Sequence, residues 1–211
     1  MSLQLLTASH ESETPTETSQ VSETCEVFRR IILDGRPIQD HFPGISRYLY
    51  NLTAGLAGLP DAPEIILLHD PTRPSSRFDL ARLGVRLEPL PLSPFDPRGQ
   101  LVLPRRLRAL GADLYHAGYY VMPYWAGVPT IVTLYDVIPL IYPQYMPSPA
   151  ARWVYRWLNA LAGRRARRVL AISHAAAGDL TRHLGIAPAR LSVAPLAADA
   201  RFRPIDDAAA L

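Results

Sequence analysis

The side chains with chemistry to offer gather where apolar runs end. Asp34-Gly35-Arg36 follows the run over residues 27–33, Gly44-Ile45-Ser46-Arg47-Tyr48 opens a helical pattern, and His116 closes Asp113-Leu114-Tyr115-His116 before an aromatic loop, residues 118–125, that includes Tyr119 and Tyr120. Tyr135-Asp136 ends the run over 129–134, and Ser173-His174 ends the run over 169–172. A glycine at a helix start presents backbone N–H groups that can receive a phosphate or hydroxyl oxygen, or it is an ordinary helix entry. His116 suits a general base, a sugar-hydroxyl contact or a structural role at a strand end. Asp136, ahead of Val-Ile-Pro-Leu, is placed either to accept hydrogen bonds from hydroxyls or to cap a turn.

Missing fingerprints narrow the chemistry. No G-x-G-x-x-G lies between the first strand and first helix, which disfavours a nicotinamide enzyme, and no Walker A run is present in a chain that lacks lysine. H-E-x-x-H and G-x-S-x-G are also absent, and Cys25 is the single cysteine, so zincin, α/β-hydrolase, multi-Cys zinc and disulfide-scaffold readings lack their residues. No metal site is expected. All 22 basic residues are arginine, and residues 1–26 hold five acids and no arginine, so the body of the chain is basic behind an acidic leader. A basic body suits phosphorylated ligands or anionic lipid, or is a solvated surface of mixed charge; nucleic acid has only net charge behind it and is not expected as a partner.

The elements that must hold these residues alternate. Strands are read at residues 27–33, 64–69, 85–92, 113–116, 129–134, 169–172 and 191–194, and helices over 45–59, over a short basic stretch 104–110 closed by Gly111, over 150–161 and over 174–184. The helix at 150–161 places Ala150, Trp153, Val154, Trp157, Leu158 and Leu161 on one apolar stripe, and Ser173 caps the next helix, with Gly185 at its end. About seven short apolar strands alternating with helices predict an α/β, Rossmann-like, mostly parallel sheet with helices on both faces. Ligands of such sheets bind beyond the carboxyl ends of the strands, where all the residues above fall. Residues 1–24 are expected to be a disordered acidic leader, 25–204 one domain, and 205–211 the start of a linker. The longest apolar stretch, residues 128–142, is interrupted by Asp136, Pro129 and Pro139 and is too short to span a membrane.

The combined order resembles the N-terminal half of a GT-B glycosyltransferase of glycosyltransferase family 4, also called group 1, and looks mannosyltransferase-like. The resemblance runs from about Arg30 to Pro204. It is carried by Asp34-Gly35-Arg36, Gly44-Ile45-Ser46-Arg47-Tyr48, Asp113-Leu114-Tyr115-His116, the segment from Pro129 through Tyr135-Asp136 to Leu140, Ala171-Ile172-Ser173-His174, and Arg190-Leu191-Ser192-Val193-Ala194-Pro195 with Asp199, Phe202 and Pro204. It implies retaining transfer of a hexosyl group from a nucleotide-diphosphate sugar to a saccharide or lipid-linked acceptor, without a further cofactor, as in polysaccharide biosynthesis.

By resemblance, Asp136 and His116 are the catalytic candidates, and Gly44, Ile45, Arg47, Tyr135, Ser173 and Tyr119 bind donor or acceptor. The family's usual His-Asp pair after the fifth strand falls on Tyr135-Asp136, with tyrosine in place of histidine. The family's donor-holding Glu-x7-Glu motif does not occur in these residues. The expectation is therefore an acceptor-side half that is inactive alone and works with a C-terminal GT-B domain. A cytoplasmic chain, peripheral at the membrane through the Arg152–Arg168 region, is expected. The alternative is a non-catalytic carbohydrate- or nucleotide-binding module.

Overall fold

The computed structural model describes residues 28–197. The expectations for residues 1–24, for Cys25, for Asp199, Phe202 and Pro204, and for 205–211 lie outside the described residues.

Seven strands form one sheet: β1 (Arg30–Asp34), β2 (Glu64–His69), β3 (Arg86–Pro89), β4 (Leu114–Ala117), β5 (Thr130–Leu134), β6 (Arg168–Ala171) and β7 (Leu191–Val193). Every pair is parallel, in the order β3-β2-β1-β4-β5-β6-β7, with Ile32 between Ile66 and Tyr115, and Val132 beside Val169. β2 is read at its observed bounds because a strand covered on both faces is a continuous apolar run, here EIILLH. Successive side chains alternate between faces. Ile32, Ile66, Tyr115 and Val132 enter one hydrophobic cluster, while Leu33, Ile65 and Leu67 enter another.

The helices are α1 (Pro43–Ala57), α2 (Gly99–Ala109), α3 (Ile138–Ile141), α4 (Pro149–Arg165) and α5 (His174–Leu184). Leu49 of α1 joins the Leu33 cluster, whereas Leu103 and Leu107 of α2 and Leu180 of α5 join the Ile32 cluster, so both faces are covered. α5 follows its sequence signals closely. The Ser173 hydroxyl accepts the Ala176 N–H at 3.1 Å, and Gly185 stops the helix with φ +68°.

Three helices differ from expectation, α3 being one that the sequence reading did not include. α2 starts five residues before Pro104, because Gly99, Leu103 and Leu107 form one buried stripe that carries the helix through the proline, and the Asp96 carboxylate receives the Arg98 N–H at 2.8 Å just ahead of it. α4 has the predicted location, and Leu158 and Leu161 of the predicted stripe pack against the core, but the rest of that stripe faces outward. Trp153, Val154 and Trp157 are exposed, while Asn159, Ala162 and Gly163 are buried. Gly163 explains the choice: a Cβ there would stand 2.5 Å from Ile186 Cδ1, so the helix packs through its small side.

The chain runs from β1 outward to β3 on one side, then crosses and runs from β4 to β7 on the other. This puts a topological switch between β1 and β4, and every strand's carboxyl end faces the same edge.

Candidate functional site

The first strand end is closed off. Asp34 and Arg36 are 3% and 1% exposed, and Arg36 Nη2 and Nε donate to the Asp34 carboxylate at 2.6 and 2.8 Å. The Tyr115 hydroxyl donates to Asp34 Oδ2 at 2.7 Å, Arg36 Nη1 to the Leu92 carbonyl at 3.3 Å, and Gln39 Nε2 to the Arg36 carbonyl at 2.8 Å. Burial works against the Asp34 charge, but the Arg36 guanidinium and these hydrogen bonds outweigh it and hold the carboxyl below its usual range. This pair is scaffolding, and it braces the loop from β1 to α1.

That loop delivers α1 to the sheet edge. Buried Ser46 donates to the Gln39 carbonyl at 2.7 Å and accepts the Gln39 N–H at 3.0 Å, locking the loop onto the first turn of the helix. Pro43 occupies the first turn, where its missing N–H costs nothing. The amides of Gly44 and Ile45 precede the first intrahelical bond, from Ser46 N–H to the Phe42 carbonyl. A Cβ on Gly44 would meet nothing within 4 Å, so a ligand has room there.

The ends of β4 and β5 supply the floor. His116 Nε2 lies 2.9 Å from Thr133 Oγ1, which is 3.0 Å from the Tyr48 hydroxyl, and the Tyr135 hydroxyl donates to the Gly118 carbonyl at 3.0 Å. His116 is buried, and burial pushes its imidazole down to about 4, so it is neutral at ordinary pH. It reaches the site only through Thr133.

Asp136 follows β5 and is exposed. Its Oδ1 accepts the Ile138 N–H at 3.0 Å, which begins the one-turn helix α3, and Oδ2 makes no hydrogen bond among the described residues. Capping therefore occupies one oxygen and leaves the other to a ligand.

These elements enclose a cavity of about 470 Å³ lined by Gly44, Ile45, Tyr119, Tyr135 and Asp136 together with Tyr48, Tyr120, Thr133, Tyr155 and Asn159. Tyr119 and Tyr120 lie with ring centroids 4.4 Å apart, and Tyr120 meets Tyr155 edge-on at 5.2 Å. Burial raises the hydroxyls of Tyr48, Tyr119, Tyr120, Tyr135 and Tyr155, with Asp136 adding to the rise at Tyr119 and Tyr155, so all five remain protonated hydrogen-bonding groups. Apolar ring faces, neutral hydroxyls and one carboxylate suit a polyhydroxylated ligand. Among the described residues, no arginine or histidine lines the cavity.

Of the residues singled out in the sequence, the structure brings together Gly44, Ile45, Tyr119, Tyr135 and Asp136. Arg47 faces away, its guanidinium 6.0 Å from the Phe78 ring in a separate groove with Tyr50 and Asp79. Ser173 caps α5 and is not among the lining residues. The sequence reading missed Tyr48, Tyr155 and Asn159. Tyr48 lies one helical turn beyond Gly44, and Tyr155 and Asn159 are four apart on the face of α4 opposite the tryptophans, a spacing that could have found them.

The Glycosyltransferase Family 4 model matches residues 43–202. The chain belongs to glycosyltransferase family 4. Its Rossmann-like sheet is the N-terminal half of a GT-B fold. HepE from Anabaena, solved in complex with UDP, superposes with a TM-score of 0.52 at 17% identity, over 79% of this chain and 43% of that one. The S. aureus MnaA–UDP co-structure gives 0.49 at 14% identity, over 78% and 43%, and a glycosyltransferase from Rickettsia africae gives 0.46 at 12%, over 79% and 42%. This family 4 chain thus spans less than half the length of these proteins. No match was found among curated proteins. Among the described residues, no group of three or more His, Cys, Asp or Glu is arranged to hold a metal ion, and no helix is long and apolar enough to cross a membrane.

Proposed function

We propose that this family 4 domain is the acceptor-side wall of a nucleotide-sugar-dependent, retaining hexosyltransferase acting on a saccharide or lipid-linked acceptor. The observation that carries the reading is the tyrosine-lined cavity, whose lining includes Asp136 and, at the start of α1, Gly44 and Ile45. Sugar rings lie against Tyr119, Tyr120 and Tyr155, the free oxygen of Asp136 accepts a hydrogen bond from the acceptor hydroxyl, and the α1 amides meet the donor's diphosphate oxygens. In the transfer, the acceptor oxygen bonds to the anomeric carbon on the face from which the diphosphate departs, the bond to the diphosphate breaks with its electron pair leaving on the diphosphate, and the acceptor hydroxyl's proton passes to that departing diphosphate. The cleft must therefore stabilise positive charge on the ring, beside Asp136, and negative charge on the leaving group.

The cavity answers only half of that demand. A diphosphate meets two amides and a helix dipole here but no cationic side chain among the described residues, so the proposal assigns its neutralisation to a second domain across the cleft, and assigns slow or no transfer to this chain alone. His116 and Tyr135 are positioning residues in this scheme, holding Thr133 and the Gly118 turn. Arg47 and Ser173 have no contact with the cavity and no role in it.

The test is Asp136→Ala with a family 4 C-terminal domain supplied. Turnover is expected to fall about a hundredfold, while the melting temperature changes little. Equal loss of activity and stability would make Asp136 a capping residue only. Saturable donor binding without turnover, even with the added domain, would favour a non-catalytic binding module.

A further inference from the structure

The chain has three tryptophans, and all three are on the surface. Trp153 and Trp157 on α4 are 66% and 50% exposed, and Trp125 is 63% exposed beneath the Arg165 guanidinium, 4.6 Å from its ring centroid. Tryptophan is highly buried on average and is otherwise favoured where one end of the ring is apolar and the other wet. At about 100° per residue, Trp153 and Trp157 lie on one side of α4 with Arg164 between them and Val154 and Arg156 flanking. Ile138, Ile141, Tyr142 and Tyr145, in the segment leading to α4, are exposed too. Arg152 Nη2 ties this segment to the helix through the Leu140 carbonyl at 3.0 Å.

Charge follows the same surface. Residues 137–178 contain six arginines and no Asp or Glu. Arg152, Arg156, Arg182 and His183 line a groove of about 500 Å³ beside Trp153; no acid is among its described lining residues, and Arg182 pairs with Asp179 at 3.5 Å. The far end of this arginine run is otherwise engaged: Arg168 Nη1 donates to the Ala189 carbonyl at 2.6 Å, and Arg165 covers Trp125. The exposed apolar groups therefore concentrate on the first half of α4, with exposed Arg156 beside them and exposed Arg164 on the same side at the far end of the helix.

We propose that α4 and residues 138–145 lay the domain on an anionic bilayer, with Trp153 and Trp157 at the boundary between headgroups and acyl chains and with Arg156 and Arg164 on lipid phosphates. A convex helix with an aromatic ridge and arginine flanks is the form of an interfacial helix, and a bilayer accepts it without a matching concave surface. The lack of any acid over 42 residues selects an anionic leaflet over a neutral one. This inference stands apart from the transfer chemistry, since none of its surface tryptophans or arginines lines the tyrosine cavity.

The experiment sediments the 211-residue chain with vesicles of phosphatidylcholine alone or mixed equally with phosphatidylglycerol, and records tryptophan emission and its quenching by bromine-labelled acyl chains. Binding is expected only with phosphatidylglycerol, together with a blue shift and quenching. The double variant Trp153→Ala/Trp157→Ala should bind about tenfold more weakly, and Arg156→Glu/Arg164→Glu should lose the preference for anionic vesicles. Circular dichroism melts that match the parent protein for both variants would show that these losses are not unfolding. Equal sedimentation of the parent and the tryptophan variant would overturn the proposal, as would a tryptophan-dependent dimer in lipid-free sedimentation velocity, which would give the face to a second copy.

Discussion

Two aspartates end strands at the same sheet edge, yet their surroundings give them opposite roles. Asp34, at the end of β1, is buried, with both oxygens taken up by Arg36 and Tyr115. Asp136, just past β5, is exposed and spends one oxygen on its own turn. A carboxylate at a strand end is thus not informative by itself. What separates scaffold from candidate site is whether an oxygen remains to meet a ligand.

The contrast is tested hardest at Arg36. Arg36→Ala leaves Asp34 buried without its cation, and breaking a buried pair from one side costs about 3–5 kcal/mol; urea unfolding should show a loss of that size, whereas Asp136→Ala should cost under about 1 kcal/mol. Comparable losses at the two positions would erase the distinction. Acid sharpens the same point: because the folded-state pKa of Asp34 is depressed, the pair's contribution is present above the unfolded carboxylate value and is lost as pH falls through the folded one.

His116 offers a second, separable pH window. Its folded value of about 4 lies below the ordinary 6.5, so the unfolded state binds the extra proton between these values. Stability is fully present above about pH 6.5 and declines towards pH 4 by about 3 kcal/mol. His116→Gln keeps a group able to bond Thr133 and removes the titration. Urea midpoints of that variant should be flat across the window where the parent protein's fall, and a parallel fall in both would assign the effect elsewhere.

The smallest effects concern two glycines on either side of the same loop. A Cβ on Gly35 would meet Leu67 Cδ1 at 2.5 Å and the Leu68 carbonyl at 2.7 Å, whereas Gly44 has open space. Gly35→Ala should cost about 1–3 kcal/mol, and Gly44→Ala should move the melting temperature by no more than a degree or two. A large loss at Gly44 would mean that its backbone, and not the space beside it, is what the fold requires.

Much of the fold is legible in the sequence because its signals are local. β2 is a single apolar run, and α5 carries a serine cap and a glycine stop, so short-range chemistry fixes their ends. The misread elements depend on distant partners. α2 passes through Pro104 because Leu103 and Leu107 find a core, and α4 turns inward the face that lets Ile186 approach Gly163. A periodic pattern locates a stripe but not what lies opposite it, so the Trp153–Trp157 ridge reads as core.

The site divides in the same way. Gly44, Tyr135 and Asp136 can be placed at the cavity from sequence because strand ends and helix starts are visible in one dimension. Tyr48, Tyr155 and Asn159 are missed because they reach the cavity from within helices. Arg47 lies away from the cavity because one step along a helix rotates a side chain by about 100°, here from the cavity to Phe78.

The order of the strands bears finally on how the chain assembles. β1 to β3 and β4 to β7 are each laid down in sequence, and the two wings meet along one seam, where Ile31–Leu33 pair with Leu114–His116 across about eighty residues of chain. Neighbouring strands within a wing close shorter loops, so pairing along this seam carries the largest loop-closure cost in the sheet. The Asp34–Tyr115 hydrogen bond crosses that seam, so the buried pair that braces the glycine loop also ties together the two strands most distant in sequence among the paired neighbours of the sheet.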